Sequence, residues 1–508
     1  MQPRALARHI LVAVCCGAIA NLAWWAVDGL GAPLFWDDTA TVDCARDLAA
    51  HPLPSPEWGY VLATGTHPPY AYIVHWLIYY LWPAHFVGLA HAWQLLMLAV
   101  LCGAAFYVCE ATSGRASAIL ALGLFASWPI VPAAARQIVN DLPVATFGLL
   151  ALVLWWRGHR RWAVVCYGVA CSLKLTGVGF LPAMLWLNRR HPAAHPRRVA
   201  LIMGALSLLP VLPILVGLLQ GNPSPNIGTY QRSLSASATT LWGLVRLPVV
   251  GALRHLLELC VYDGRWALSL AIVFPLAGWL RAGRGSQGGA SAGAGGREQR
   301  QVIVQPLALA MIGVLFVATV FGAVSLQRYL VPLAMPVAWL TALWLLQSRS
   351  SVSALCAAAA IVQGVLISHD LAPGLYGYET KIAAKIPGFG RGIDSKPAWM
   401  KEFVETQGEA IKFLQANGSA ASIGADWPAH FALSEPAFGY VETALDVQWW
   451  KPGEPTGGLE IVWVDVWKSG LVPVEHEWRR EFGRRYPVVL FGLRNGSLTE
   501  RVQAEERT

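Results

Sequence analysis

Charge is scarce in this chain: of 508 residues only 13% are Asp, Glu, Lys or Arg, roughly half the share of an ordinary soluble domain. With 55% hydrophobic residues and a mean hydropathy of +0.46, a soluble fold with one apolar core under a charged surface is excluded. Chelating patterns are missing too, since the cysteines and histidines show no metal-type spacing. The chain carries no convincing internal repeat, which weighs against a transporter built from inverted halves. No small-residue cleavage pattern follows the first apolar run, residues 9–27, so this run reads as a retained span rather than a signal peptide. The net charge of +8 does not point to nucleic acid, because the arginines sit in short clusters between apolar runs. That placement orients a membrane protein.

What is present is a series of apolar runs, many near the roughly 17 to 25 residues that cross a hydrocarbon core as a helix. The clusters Arg157/Arg160/Arg161, Arg189/Arg190/Arg197/Arg198, Arg281/Arg284/Arg297/Arg300 and Arg349 are assigned to the cytoplasm, where short basic loops stay. With the N-terminus cytoplasmic, parity then gives spans at 10–27, 89–109, 116–131, 142–156, 163–175, 178–187, 199–219, 266–280, 302–324, 329–346 and 352–368, about eleven in all. The pair 163–175 and 178–187 is basic at both flanks and must be a hairpin. Residues 28–88 form the first external loop. Within it "THPPYAYIVHWLIYYLW" (66–82) would invert every later arginine cluster if it crossed, so 68–82 is expected to be an interfacial helix, as its Tyr and Trp content suits the headgroup layer.

Residues 283–301 are rich in Gly, Ala and Ser and read as a flexible cytoplasmic linker. Seven cysteines lie in apolar runs and read as buried thiols. Cys44 and Cys260 fall in predicted external loops, where pairing is open but not required by spacing. The expected fold is an α-helical polytopic membrane domain, 1–368, followed by a small external α/β domain, 369–508. In the latter, 400–416 and 474–486 read as helices, and 459–467 and 487–493 as strands.

Two adjacent acids, Asp37 and Asp38 in "FWDDTATVDCARDL", and a third, Asp141 in "VNDLPVATF", fall in two outer loops. Each has a plainer reading as a helix cap. Cations fall on the same side. His67 opens the interfacial segment, Arg328 ends a span in "LQRYLVPLAMP", and Lys174 in "CSLKLTG" lies about twelve residues, or roughly 18 Å of helix, beyond the cytoplasmic arginines. Their plainer readings are an interface histidine, a headgroup anchor and a snorkelling lysine. Acids and cations together suit transfer of a sugar from a polyprenyl phosphate to a hydroxyl at the outer leaflet. The leaving phosphate needs positive charge rather than a general acid, and the acceptor hydroxyl needs one carboxylate base. That set differs from the paired acid and base of glycosidases, and direct displacement inverts the anomeric centre.

The same residues resemble the GT-C membrane glycosyltransferases, specifically the protein O-mannosyltransferase and aminoarabinose-transferase group. "FWDDTATVDCARDL" is similar to that group's first-loop Asp-Glu motif, "THPPYAYIVHWL" to its His-Pro-Pro or Lys-Pro segment, and "VNDLPVATF" to its second-loop Asp-x-Pro. "ACSLKLTG" and "QRYLVPLAMP" resemble its Thr-Lys and Arg-Tyr-x-x-Pro segments. The resemblance implies Asp37 as catalytic base, Asp38 and Asp141 as active-site acids, and His67, Lys174 and Arg328 as ligands of the donor phosphate. Departures are Asp38 where Glu is usual, Thr41 where Tyr is often found, and His67 in place of the lysine of the aminoarabinose enzymes. The last argues against that sugar. Some enzymes of this architecture use a divalent metal at the acids, here Asp37, Asp38 and Asp141, so metal stays open and no other cofactor is implied. The expected partners are a polyprenyl-phosphate-linked donor and an envelope lipid, glycan or protein as acceptor. Alanine- and arginine-rich usage suggests a bacterial inner membrane with the active face and C-terminal domain in the periplasm. The rival readings are a transporter or flippase of lipid-linked sugars, and an enzymatically inactive scaffold.

Overall fold

The structure is a computed structural model that describes residues 3–35, 38–51, 72–212, 294–321, 330–348, 351–371, 397–417, 421–426, 429–451, 453–465, 476–483 and 487–493. Among these, His9–Asp28, Pro83–Ser113 and Ser351–Ser368 are helices long and apolar enough to cross a membrane. The shorter apolar helices are Arg115–Ala126, Asp141–Trp156, Gln305–Ala318 and Val331–Leu343. They pack around one apolar core in which Phe125, Trp128, Trp155, Tyr167 and Trp339 are fully buried. The chain is an integral membrane protein by these helices. The predicted spans at 199–219 and 266–280 lie partly and wholly outside the described residues.

Helix α1 (Pro3–Asp28) runs to the acidic end of the bundle, where α2 (Asp38–Ala50) and α3 (Ile73–Leu81) follow. At nine residues, α3 is about 14 Å long, under half of the roughly 30 Å hydrocarbon core. It buries His75 while Tyr80 and the following Trp82 stay 63% and 53% exposed. Residues 68–71 of the expected interfacial helix lie outside the described residues. Helix α4 (Phe86–Ser113) returns, and α5 (Arg115–Ala126) and α6 (Ile130–Ala135) climb back, the break falling at Ser127–Pro129 where Pro129 cannot continue the backbone ladder.

The expected hairpin is present. Helix α7 (Asp141–Trp156) and α8 (Arg160–Leu173) are antiparallel neighbours, a 3-10 segment (Leu175–Phe180) reverses the path, and α9 (Leu181–Arg190) descends. The indole of Trp155 donates to the carbonyl of His191 at 3.3 Å, so the clusters Arg157–Arg161 and Arg189–Arg190 share one end of the bundle. Asp141 and Lys174 share the other. Helix α10 (Pro196–Leu206) packs beside α8 and α9.

Helix α11 (Ala294–Phe321) corrects one expectation: residues 294–301 of the supposed flexible linker are helical. Glu298, Gln299, Arg300 and Gln301 are good helix formers, and the apolar run they lead into propagates the helix backward through Gly295 and Gly296. Gly313 of α11 faces Gly179 of the 3-10 segment so closely that a Cβ on either would strike the other's main chain. Gly313→Val is therefore expected to lower the thermal unfolding midpoint in detergent by the equivalent of about 1–3 kcal/mol, with loosening centred on the segment that carries Lys174. Helices α12 (Val331–Ser348) and α13 (Ser351–Ser368) complete the bundle.

The C-terminal unit opens with α14 (Pro397–Asn417), within which the predicted helix falls. Five strands follow, β1 (Ile423–Ala425), β2 (Val447–Trp449), β3 (Ile461–Asp465), β4 (Trp478–Phe482) and β5 (Val488–Gly492), in the order β2-β1-β3-β5-β4. β1 is parallel to β2 and β3, and β5 is antiparallel to β3 and β4. Ile411, Leu414, Ile423, Trp463 and Leu490 form the core between α14 and the sheet. The helix expected at 474–486 is a correction. Residues 478–482 form an edge strand because β5 offers a free ladder, and the alternation buries Trp478 while Arg479 and Glu481 point outward and pair at 2.7 Å.

Candidate active site

The loop between α1 and α2 folds back on itself through Asp38. Its backbone N–H donates to Phe35 O at 2.8 Å, and the Phe35 N–H donates in return to Asp38 Oδ2 at 3.0 Å. The other carboxylate oxygen, Oδ1, accepts from the Ile138 N–H at 2.9 Å. One fully buried carboxylate thus ties the first loop to the second across 100 residues, and its donors come from outside helix α2. Burial pushes its pKa up to about 8, against the pull of the two N–H groups. The sign follows from the raised folded value: the folded state holds this proton more tightly, so its contribution to stability is full below the ordinary carboxylate range and is lost as pH rises toward about 8. Unfolding midpoints measured from about pH 4 to 8 should fall more steeply for the wild type than for Asp38→Asn.

Three residues beyond Ile138, Asp141 opens α7. Asn140 is the cap residue but its side chain makes no capping bond, and the Asp141 carboxylate turns instead to Lys174. The ammonium reaches both of its oxygens, at 2.6 and 2.8 Å. Lys174 stands where α8 stops, in extended conformation, and Gly177 N–H closes a turn back to its carbonyl at 2.9 Å. The break aims the side chain into the bundle, and both partners are buried. Lys174 does not snorkel.

Further charges, which the loop motifs did not single out, lie in the second loop and at the end of α1. Arg136, buried in the second loop, forms an ion pair with Asp28 at the end of α1, and its guanidinium lies over the Trp25 ring at 5.3 Å. Lys401 of α14 approaches Asp28 at 3.8 Å. An arginine inside "PAAARQIVND", amid apolar residues, was the available signal, since such charges are retained only when paired or used.

The C-terminal unit seals this end. Leu34 N–H donates to Phe438 O at 3.0 Å, and the Tyr440 hydroxyl donates to Leu34 O at 3.1 Å. Phe438 packs with Leu34, Val42, Phe86 and Ile138, while Phe35 meets Trp399 and Phe403 of α14. Burial and the Asp38 carboxylate raise the pKa of Tyr440, so its hydroxyl stays a donor. Arg46 reaches Glu435 at 2.9 Å and also pairs with Asp43.

Asp37, His67 and Arg328 lie outside the described residues. Asp38, Asp141 and Lys174 are gathered at one end of the bundle. Of the three acids named for a metal, the two described ones are already engaged: Asp38 accepts N–H bonds on both oxygens and Asp141 faces an ammonium. Among the described residues no three Asp, Glu, His or Cys side chains converge as metal ligands.

Among the solved structures to which this chain is similar are two of one protein. They are ArnT from Cupriavidus metallidurans bound to undecaprenyl phosphate, with a TM-score of 0.46, 14% identity and coverage of 96% of this chain and 98% of that one, and the same protein in the apo state, at 0.45, 14%, 95% and 97%. No protein-family model and no curated protein matches the chain.

Proposed function

We propose that the protein is an inverting glycosyltransferase that moves a sugar from a polyprenyl-phosphate donor to a hydroxyl acceptor at the outer face of the membrane. What supports this reading is the meeting of two acid-bearing loops and a buried lysine at the end of an apolar bundle opposite the arginine clusters, under a polar domain. Asp37 is the base that takes the acceptor proton. Its neighbour Asp38 positions it by holding the first loop to the second. Lys174, with Asp141 setting its place, supplies positive charge to the departing phosphate, together with His67 and Arg328.

The test is transfer in membranes supplied with labelled polyprenyl-phosphate sugars and a panel of envelope lipids, glycans and proteins. A new glycosidic bond is expected. Movement of the labelled lipid across the bilayer with no new bond would establish the transporter instead. A reporter joined after Ser368 should be external, and a cytoplasmic result would overturn the orientation on which the site depends.

A further inference from the structure

Helix α4 buries ten side chains, and only two of them, His91 and Gln94, carry strong hydrogen-bonding groups. They are 1% and 0% exposed and stand one turn apart on one face of the helix. Such groups inside an apolar helix are costly, and they are retained where they bond or serve a site. Both reach out of the helix to a loop. The His91 Nε2–H donates to the carbonyl of Ala32, in the first loop, at 3.2 Å. Gln94 Nε2 donates to the carbonyl of Val139, in the second loop, at 3.0 Å. A turn further along, Met97 O accepts from the Thr146 hydroxyl at 3.0 Å, which seats α7 five residues after Asp141.

Gln94 meets the second loop between its two charged attachments. Ile138, whose N–H binds Asp38, is the residue before Val139, and Asp141, which holds Lys174, is two residues after it. One long helix thus grips the loop that carries the acids, the loop that receives Asp38, and the helix that Asp141 opens. We propose that Gln94 is a positioning residue for the transfer reaction, with His91 as its counterpart on the first loop. Its bond to Val139 sets the second loop so that the base at Asp37 and the ammonium of Lys174 address the same donor. Gln94 acts through Asp38 and Asp141 rather than on the substrate. The inference rests on the glycosyltransferase reading and extends the site to residues of α4.

The experiment uses the full-length protein in nanodiscs, as wild type, Gln94→Leu, Gln94→Asn, Asp37→Asn and Gln94→Leu combined with Asp37→Asn. Turnover of labelled polyprenyl-phosphate sugar is divided by the number of sites that bind bare undecaprenyl phosphate, so unfolded material does not count. A misplacement of about 1 Å costs about 10²-fold in rate, and Gln94→Leu should lower kcat per site by about 10- to 10²-fold. Affinity for the bare lipid phosphate should stay close to that of the wild type. Gln94→Asn keeps the amide on a shorter stem and should fall between the two, which preserves the test if Gln94→Leu does not fold. In the Asp37→Asn background the loss of Gln94 should cost little more, because the base it aligns is already gone. The proposal is overturned if kcat per site is unchanged in both Gln94 variants, if the loss lies in lipid affinity instead, or if the loss is as large without the Asp37 carboxylate as with it. Failure of the wild type to form a glycosidic bond from any donor would instead sink the glycosyltransferase reading, and this inference with it.

Discussion

Lys174→Met is expected to destabilise the protein by about 3–5 kcal/mol, because it removes the cation that compensates a fully buried carboxylate while leaving the carboxylate in place. The shape of the side chain is nearly kept, so packing is not the cause. The charge balance is. Replacing both partners separates structure from chemistry: Lys174→Met with Asp141→Leu takes both charges out of the interior together, and such replacements are often neutral or stabilising. Thermal unfolding in detergent should therefore show a large loss for the single variant and substantial recovery for the double one. Transfer from the lipid-phosphate donor should be lost in both. If the double variant regains activity with stability, Lys174 serves only to neutralise Asp141 and has no part in binding the phosphate.

Asp37→Asn should lower the turnover of transfer by about 10²–10⁴-fold, the range for loss of a positioned general base. The amide keeps the size of the carboxylate but cannot take a proton, so donor binding should persist while the chemical step fails. The readout is kcat for transfer from labelled polyprenyl-phosphate sugar, beside the affinity for bare lipid phosphate. Undiminished turnover would remove Asp37 as the base. Asp38→Asn is a different lesion. Asn has one acceptor oxygen where Asp38 meets two N–H donors, so its NH₂ faces a backbone N–H and the loops separate. Loss of activity there should come with loss of stability, which Asp37→Asn is not expected to show.

Much of the fold was legible in the residues. The apolar runs placed helices α1, α4, α7 and α13 because spanning length and hydropathy are local properties. Parity between arginine clusters required the hairpin at 160–190, and the bond between Trp155 and His191 shows both clusters at one end. The count of about twelve residues from the arginines put Lys174 near the far end of its helix, where it meets Asp141. The break at Lys174 was less visible. "SLKLTGVGF" contains two glycines but no proline, and the close seat of α11 against Gly179 is a property of two segments that neither displays alone.

The sequence by itself determined that this is an apolar helical protein, because transfer free energies are summed residue by residue. It also determined β3 and β5, whose β-branched runs suit a buried strand. Only the tertiary structure decided that residues 478–482 are strand rather than helix, since a short mixed segment takes the form for which a neighbour offers hydrogen bonds. It alone decided the partners of the charges. Asp38 on Ile138 N–H, Lys174 on Asp141 and Arg136 on Asp28 are pairings across 100, 33 and 108 residues, and a buried charge finds its partner through packing in space, which spacing along the chain does not encode.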